Sequence, residues 1–188
     1  MKNKGLSLGL IILIIVALVG LSLSRTYNNL TMMDEDVKTR WGQIEIQLKR
    51  RADLIPNLLE TVKGYASHEK EIMKNIADAR SGYAAANTPE EYARADQEFT
   101  QAVRSLNIMV ENYPDLKANQ NFQDFQTELA GTENRIATER MYYNESVQAF
   151  NKTVRRFPTN MIAGMFGYEA KQYFEVSEAD KEVPKVEF

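Results

Sequence analysis

The stretch WGQIEIQLKRRADLIPNL, Trp41 to Leu58, decides the fold. Ile44, Leu48, Ile55 and Leu58 recur at steps of four, seven and three, the spacing of one helix face. Stepping outward by sevens from Ile44 gives Leu30, Val37, Arg51, Leu58, Tyr65, Ile72 and Ala79. The companion series is Asp34, Trp41, Leu48, Ile55, Val62, Glu69, Ile76 and Tyr83. Every position is apolar or aromatic except Asp34, Arg51 and Glu69, with Ala79 the small one. A seam this long has the length of a coiled-coil pattern. The register does not slip at Pro56, and proline removes only the hydrogen bond to the Ala52 carbonyl. The reading is one long helix from the N-terminal anchor through Tyr83, kinked near Ala52–Pro56. Asp53, three residues before Pro56, could instead cap a new helix there.

Upstream of the seam, Gly5 to Ser24 carries no charge and is mostly Leu, Ile, Val, Ala and Gly. Twenty helical residues span about 30 Å, the thickness of a bilayer's hydrocarbon core. The sequence therefore divides into a short tail at 1–5, a transmembrane helix at 6–24, a helical body at 27–174 and a charged tail at 175–188. The rival is a cleaved secretory signal, with Ser22-Leu23-Ser24 as a small-x-small site. The run from Leu6 to Leu23 is longer than a usual signal core and favours a retained anchor. The chain has no cysteine, so a lipoprotein anchor, disulfides and thiolate metal sites are excluded. Lys2 and Lys4 against Arg25 favour a cytoplasmic N-terminus and an exported body.

The formal net charge is −3, and the body without Lys2 and Lys4 carries −5, with both signs interspersed. Arg50-Arg51 and Arg155-Arg156 are too short to make the basic stripe that nucleic-acid binding needs. About 160 residues follow the anchor, the size of one domain.

Thr88-Pro89-Glu90-Glu91 is a helix start, with Thr88 as cap, Pro89 first and Glu91 closing a capping box. Phe99, Ala102, Val103, Leu106, Met109, Val110 and Tyr113 then share a face, and Asn112–Asp115 stops this second helix. A third helix repeats in sevens through Phe122, Leu129, Ile136, Tyr143, Phe150 and Phe157, widened by Phe125, Val147 and Val154. Pro158 ends it, a short apolar piece covers Asn160 to Gly167, and Tyr173-Phe174 is placed to fold back. No alternating strand pattern occurs. The fold expected is all-α: a transmembrane helix followed by a bundle of three long helices and a short C-terminal helical piece.

The single histidine, His68, has Ile72 where a zinc-protease helix would carry its second histidine. Phosphate loops, nucleophile elbows and kinase loops are absent. No catalytic, cofactor-binding or metal-ligating residue is assigned, and no cofactor is expected. The charges on the stripes read instead as a structural polar seam of Arg51, Glu69, Glu133, Glu139 and Arg140. A charge on a buried stripe is tolerated only with a partner. Arg51 is expected against Glu133 or Glu139, and Glu69 against Arg140 or a neighbour.

One set of motifs runs through Tyr27-Asn28, Trp41-Gly42-Gln43-Ile44, Gln47 to Leu58, Val62-Lys63-Gly64-Tyr65, His68-Glu69 and Ala79-Arg80. It continues through Tyr113 to Ala118, Thr132 to Ile136, Arg140, Tyr143-Asn144, Val147, Asn151 and Phe157-Pro158. In these residues the chain resembles the LemA family of bacterial membrane-anchored proteins. Tyr168 stands where the family pattern leans to Phe. The resemblance implies a single-pass membrane protein with a helical body, without established enzymatic activity. It also implies an N-terminus outside, against the charge reading, so both orientations stand. The expected function is non-enzymatic: a membrane-anchored, self-assembling structural or scaffold protein of the bacterial cell envelope. Homo-oligomers would form through Met161–Phe166 or through Gly9, Ala17 and Gly20. The alternative is an adaptor for another envelope protein, such as a membrane protease or sensor. The bilayer, through residues 6–24, is the first partner, and nucleic acid is not one.

Overall fold

The computed structural model describes residues 3–174, with side chains from residue 9 onward. The charged tail expected at 175–188 lies outside the described residues, as do residues 1 and 2 of the N-terminal tail. Among the described residues every regular element is a helix: α1 Asn3–Asp53, α2 Ile55–Tyr65, α3 Lys70–Ala85, α4 Pro89–Val110, α5 Pro114–Lys117, α6 Gln120–Arg155 and α7 Thr159–Met165.

The first long helix does not continue to Tyr83. At Leu54 the interruption is slight. Leu54 keeps helical dihedrals (φ −74°, ψ −24°), and its N–H turns to the Arg51 carbonyl at 3.2 Å. The Leu58 N–H reaches the Leu54 carbonyl at 3.1 Å, so α2 starts at once, with Pro56 in its first turn where no N–H is needed. Ile44 and Leu58 are both buried across this junction. The second interruption is a true turn. Ala66 leaves the helical region (φ −131°, ψ 50°), as does Glu69 (φ −83°, ψ 56°), so residues 66–69 separate α2 from α3. The sevenfold pattern survives because Ile76, Ala79 and Tyr83 bury the inner face of a separate helix. Periodicity marks core-facing positions, and α3 is also core-facing.

The chain folds as two compact units. The first comprises the described residues up to 39 together with 145–171. Its α1 portion holds the apolar stretch, where every large apolar side chain from Leu10 to Leu23 is between 41% and 66% exposed. A helix apolar all round and bare on every side belongs in lipid. Among the described residues one helix is long and apolar enough to cross a membrane. Burial begins at Leu30 and continues through Asp34 and Val37, and Val147, Phe150, Asn151, Val154, Ile162 and Ala163 of the same unit are buried as well. Phe157, counted from its spacing as the last residue of the third stripe, is instead 75% exposed. The helix ends at Arg155, and the stripe ends with it.

The second unit comprises residues 40–144 and the stretch beginning at Gln172. It is a helical bundle whose core includes Ile44, Leu48, Ile55, Leu58, Val62, Ile76, Phe99, Leu106, Leu116, Phe122 and Ile136. α3 and α4 form a hairpin through residues 86–88. Thr88 Oγ1 accepts from the Glu91 N–H and the Glu91 carboxylate accepts from the Thr88 N–H, closing the capping box at the start of α4. Such a cap is worth about 1 kcal/mol. Tyr65, placed on the first stripe by its spacing, is exposed at the end of α2.

Candidate functional site

Arg51, in the last turn of α1, is the most buried charge of the second unit, with its side chain 3% exposed. Its Nη1 donates to Asp96 Oδ1 of α4 and lies against Glu133 Oε2 of α6, each at 2.7 Å. Its Nη2 donates to Thr100 Oγ1 at 3.2 Å. The Phe99 ring stacks on the guanidinium with 5.0 Å between Cζ and the ring centroid. Tyr83 of α3 donates its hydroxyl to the same Asp96 Oδ1 at 2.6 Å. Burial, and then the Asp96 charge beside it, push the Tyr83 hydroxyl well above its ordinary pKa, with Arg51 opposing. Four helices thus meet on one ionic centre.

Glu133 keeps half its side chain in water (48% exposed), whereas Asp96 does not (13%). Asp96 is therefore the partner of Arg51 that is out of water with it, and breaking this pair would strand a buried charge. Within the centre, burial and the Asp96 charge hold Tyr83 in its protonated form.

Glu69, expected against Arg140 or a neighbour, has Tyr113 as its partner. The turn at 66–69 takes Glu69 off the first helix to the start of α3, where it accepts a 2.9 Å hydrogen bond from the Tyr113 hydroxyl. That bond raises the pKa of Tyr113. Arg140 lies over the Phe174 ring, 5.7 Å from its centroid. Glu139 is half-buried and is not among the partners of Arg51. His68 is exposed on the turn between α2 and α3. Among the described residues no group of His, Cys, Asp and Glu is arranged to hold a metal ion.

Two asparagines seven residues apart on α6 each clasp the backbone N–H and C=O of one residue of the C-terminal stretch. In the second unit, Asn144 donates to the Phe174 carbonyl at 3.0 Å and accepts from the Phe174 N–H at 2.9 Å. Tyr143 donates to the Gln172 carbonyl at 2.9 Å. Phe174 completes an aromatic cluster around Trp41, whose ring centroid lies 5.5–5.8 Å from those of Tyr92, Tyr143 and Phe174. In the first unit, Asn151 donates to the Lys171 carbonyl at 2.9 Å and accepts from its N–H at 2.8 Å. The Lys171 ammonium reaches Asp34 Oδ1 at 2.7 Å, and Lys38 holds Oδ2 at 2.8 Å. Burial alone would raise the Asp34 pKa, but the two ammonium groups outweigh it and hold the carboxyl below its usual value.

The LemA family model matches residues 40–188. The chain belongs to the LemA family. Curated relatives include the magnetosome protein MamQ 2 of Paramagnetospirillum magneticum, 26% identical over 87% of this chain and 70% of that protein. The magnetosome protein MamQ of Magnetospirillum gryphiswaldense is 25% identical over 90% of this chain and 71% of that one. The protein LemA of Metamycoplasma hominis is 25% identical over 82% of this chain and 71% of its own length. With the apolar helix, the family membership makes this a membrane-associated helical protein. The family match covers Arg51, Asp96, Glu133 and Asn144 together, so the ionic centre and the Phe174 grip both lie inside the LemA region.

Sequence reasoning missed Asp96 and Thr100, for which the signal was their i, i+4 spacing on α4 beside the buried Ala95 and Phe99. Asn144 and Asn151 were quoted only as part of a family signature. Their seven-residue spacing beside Tyr143 and Phe150 was the clue to a paired role.

Proposed function

We propose that this LemA-family chain is a non-enzymatic, single-pass membrane scaffold that self-assembles in the plane of the bacterial cell membrane. One observation carries the reading. Gly9 and Gly20 of the apolar stretch are eleven residues apart, about three helical turns, so they share one face of α1. Nothing lies within 4 Å of where a Cβ would stand at either position. Small residues on a lipid-facing helix let a second helix approach closely. The ionic centre supports a structural role, because both terminal nitrogens of Arg51 are engaged within the bundle. Lys2 and Lys4 against Arg25 support a body outside the cytoplasm. Extraction of the full-length protein into native nanodiscs, followed by mass determination, tests the reading. Assemblies of several chains are expected; single chains at every concentration would overturn it.

A second reading, an adaptor for another envelope protein, is favoured by a groove of about 490 Å³ on the second unit, bordered by Gly42, Ile46, Lys49, Arg80 and Tyr92. Ile46 is 57% exposed there. A photocrosslinker at Ile46 in cells would trap one specific partner if this reading holds. Labelling only of other copies of the chain would favour the scaffold.

A further inference from the structure

The end of the first unit that carries the apolar stretch also carries a second apolar surface. From Phe157 to Tyr168 the chain holds no charged residue, with Arg155-Arg156 before it and Glu169 after it. α7 lies within this run and, beyond Thr159 and Asn160 in its first turn, is apolar on both sides. Ile162 and Ala163 are buried, whereas Met161 and Met165 are 63% and 79% exposed. Phe157 at 75% and Phe166 at 54% extend the bare side. A helix at a water-facing tip would have a polar outer face; one that is apolar outside as well belongs in a buried or lipid setting.

Three contacts fix its height. The Phe166 and Tyr27 rings meet with centroids 4.7 Å apart. Tyr168 and Thr31 hydroxyls share a 2.8 Å hydrogen bond, and Lys171 pairs with Asp34. The stretch after α7 therefore climbs α1 away from the apolar stretch, and α7 lies at its lower end. Tyr27 is four residues beyond Leu23, about 6 Å along the axis, and helical side chains lean toward the N-terminus. The headgroup layer on each side of the hydrocarbon core is about 5–8 Å deep. With residues 6–24 as the span, Tyr27 and Phe166 fall in that layer, where aromatic residues gather.

We propose that α7 with Phe157 and Phe166 is a second membrane contact, an interfacial foot lying in the headgroup layer of the same bilayer that α1 enters. The inference rests on reading residues 6–24 as the membrane span. Met161, Met165 and Phe157 enter the boundary between headgroups and acyl chains. Exposed Arg155, Arg156 and Arg25 meet lipid phosphates, and Glu169 is the only carboxylate between Lys152 and Lys171. Apolar insertion combined with basic flanks is how interfacial helices hold to anionic bilayers. A lipid surface, rather than a second copy, is the occupant because the foot is continuous with the span through Tyr27.

The absence of cysteine allows a single spin label at any chosen position. Full-length chains carrying Met165→Cys, Leu13→Cys or Ile46→Cys are reconstituted in vesicles of mixed zwitterionic and anionic lipid, and relaxation by oxygen is compared with that by a water-soluble nickel chelate. The expected oxygen-to-nickel ratio at 165 is several-fold above that at 46 and below that at 13. Charge reversal at Arg155 and Arg156 is expected to lower it toward the aqueous value. A ratio at 165 equal to that at 46, with 13 in hydrocarbon, overturns the foot and leaves the span intact. An aqueous ratio at 13 overturns both. Protection at 165 with dipolar broadening that vanishes on dilution with unlabelled chain shows a second copy on this surface, and that also overturns the proposal.

Discussion

Arg51 and Asp96 meet at 2.7 Å with the arginine side chain almost wholly out of water, and Tyr83 donates to the same carboxylate oxygen. Removing only one member of such a pair strands the other. Arg51→Met is expected to destabilise the body by about 3–5 kcal/mol in chemical denaturation. The double variant Arg51→Met/Asp96→Leu should recover a good part of that loss. An Arg51→Met protein as stable as the parent would show that the ionic centre contributes nothing.

Tyr83 has a raised pKa from burial and from the Asp96 charge. The folded state then retains a proton that the unfolded chain gives up near the ordinary tyrosine value of about 10. The contribution is complete below that pH and is lost as pH rises toward the folded value. Tyr83→Phe should cost about 1.5–3 kcal/mol at neutral pH, the range for a hydrogen bond to a charged group. It should also flatten the fall in stability above about pH 10. Parallel alkaline melting curves for the two proteins would contradict this assignment.

The stripes were legible because burial enforces period: Leu30, Ile44, Leu58 and Ile76 are all fully buried, as are Phe122, Ile136 and Phe150. The capping box at Thr88 was legible because its four residues act locally. The turn at 66–69 was not, because no proline marks it and the apolar phase resumes in step at Ile76. Arg51 could be recognised as needing a partner from its place on the seam. That Asp96 would share it with Glu133 was missed, since α4 was read for its apolar face and its flanking carboxylate was left aside. The foot was visible only as an apolar piece. Its height follows from Tyr27 and Phe166, which lie far apart in sequence.

Asn144 and Trp41 are linked through Phe174, and the chain has one tryptophan. Asn144→Ala removes two hydrogen bonds, worth about 1 kcal/mol each. Phe174 should leave the cluster, and Trp41 emission should shift to the red with greater access to a soluble quencher. Unchanged emission would mean that the Phe174 ring is held without the asparagine.

Asp34 has a lowered pKa because Lys171 and Lys38 outweigh its burial. Its contribution is present above the unfolded carboxylate value, about 3.9, and is lost as pH falls through the folded one. Asp34→Asn should therefore be less stable than the parent near neutrality and converge with it in acid. A gap that persists unchanged to pH values well below the folded pKa would place the effect in packing rather than charge.

The scaffold reading is tested most directly by counting copies in the living membrane. Full-length chains fused to a fluorescent protein and expressed at native level are followed by single-molecule photobleaching. The account predicts spots that bleach in several steps, shifting toward single steps when Gly9 and Gly20 are both changed to Leu. Single-step bleaching throughout, unaltered by those substitutions, would contradict it.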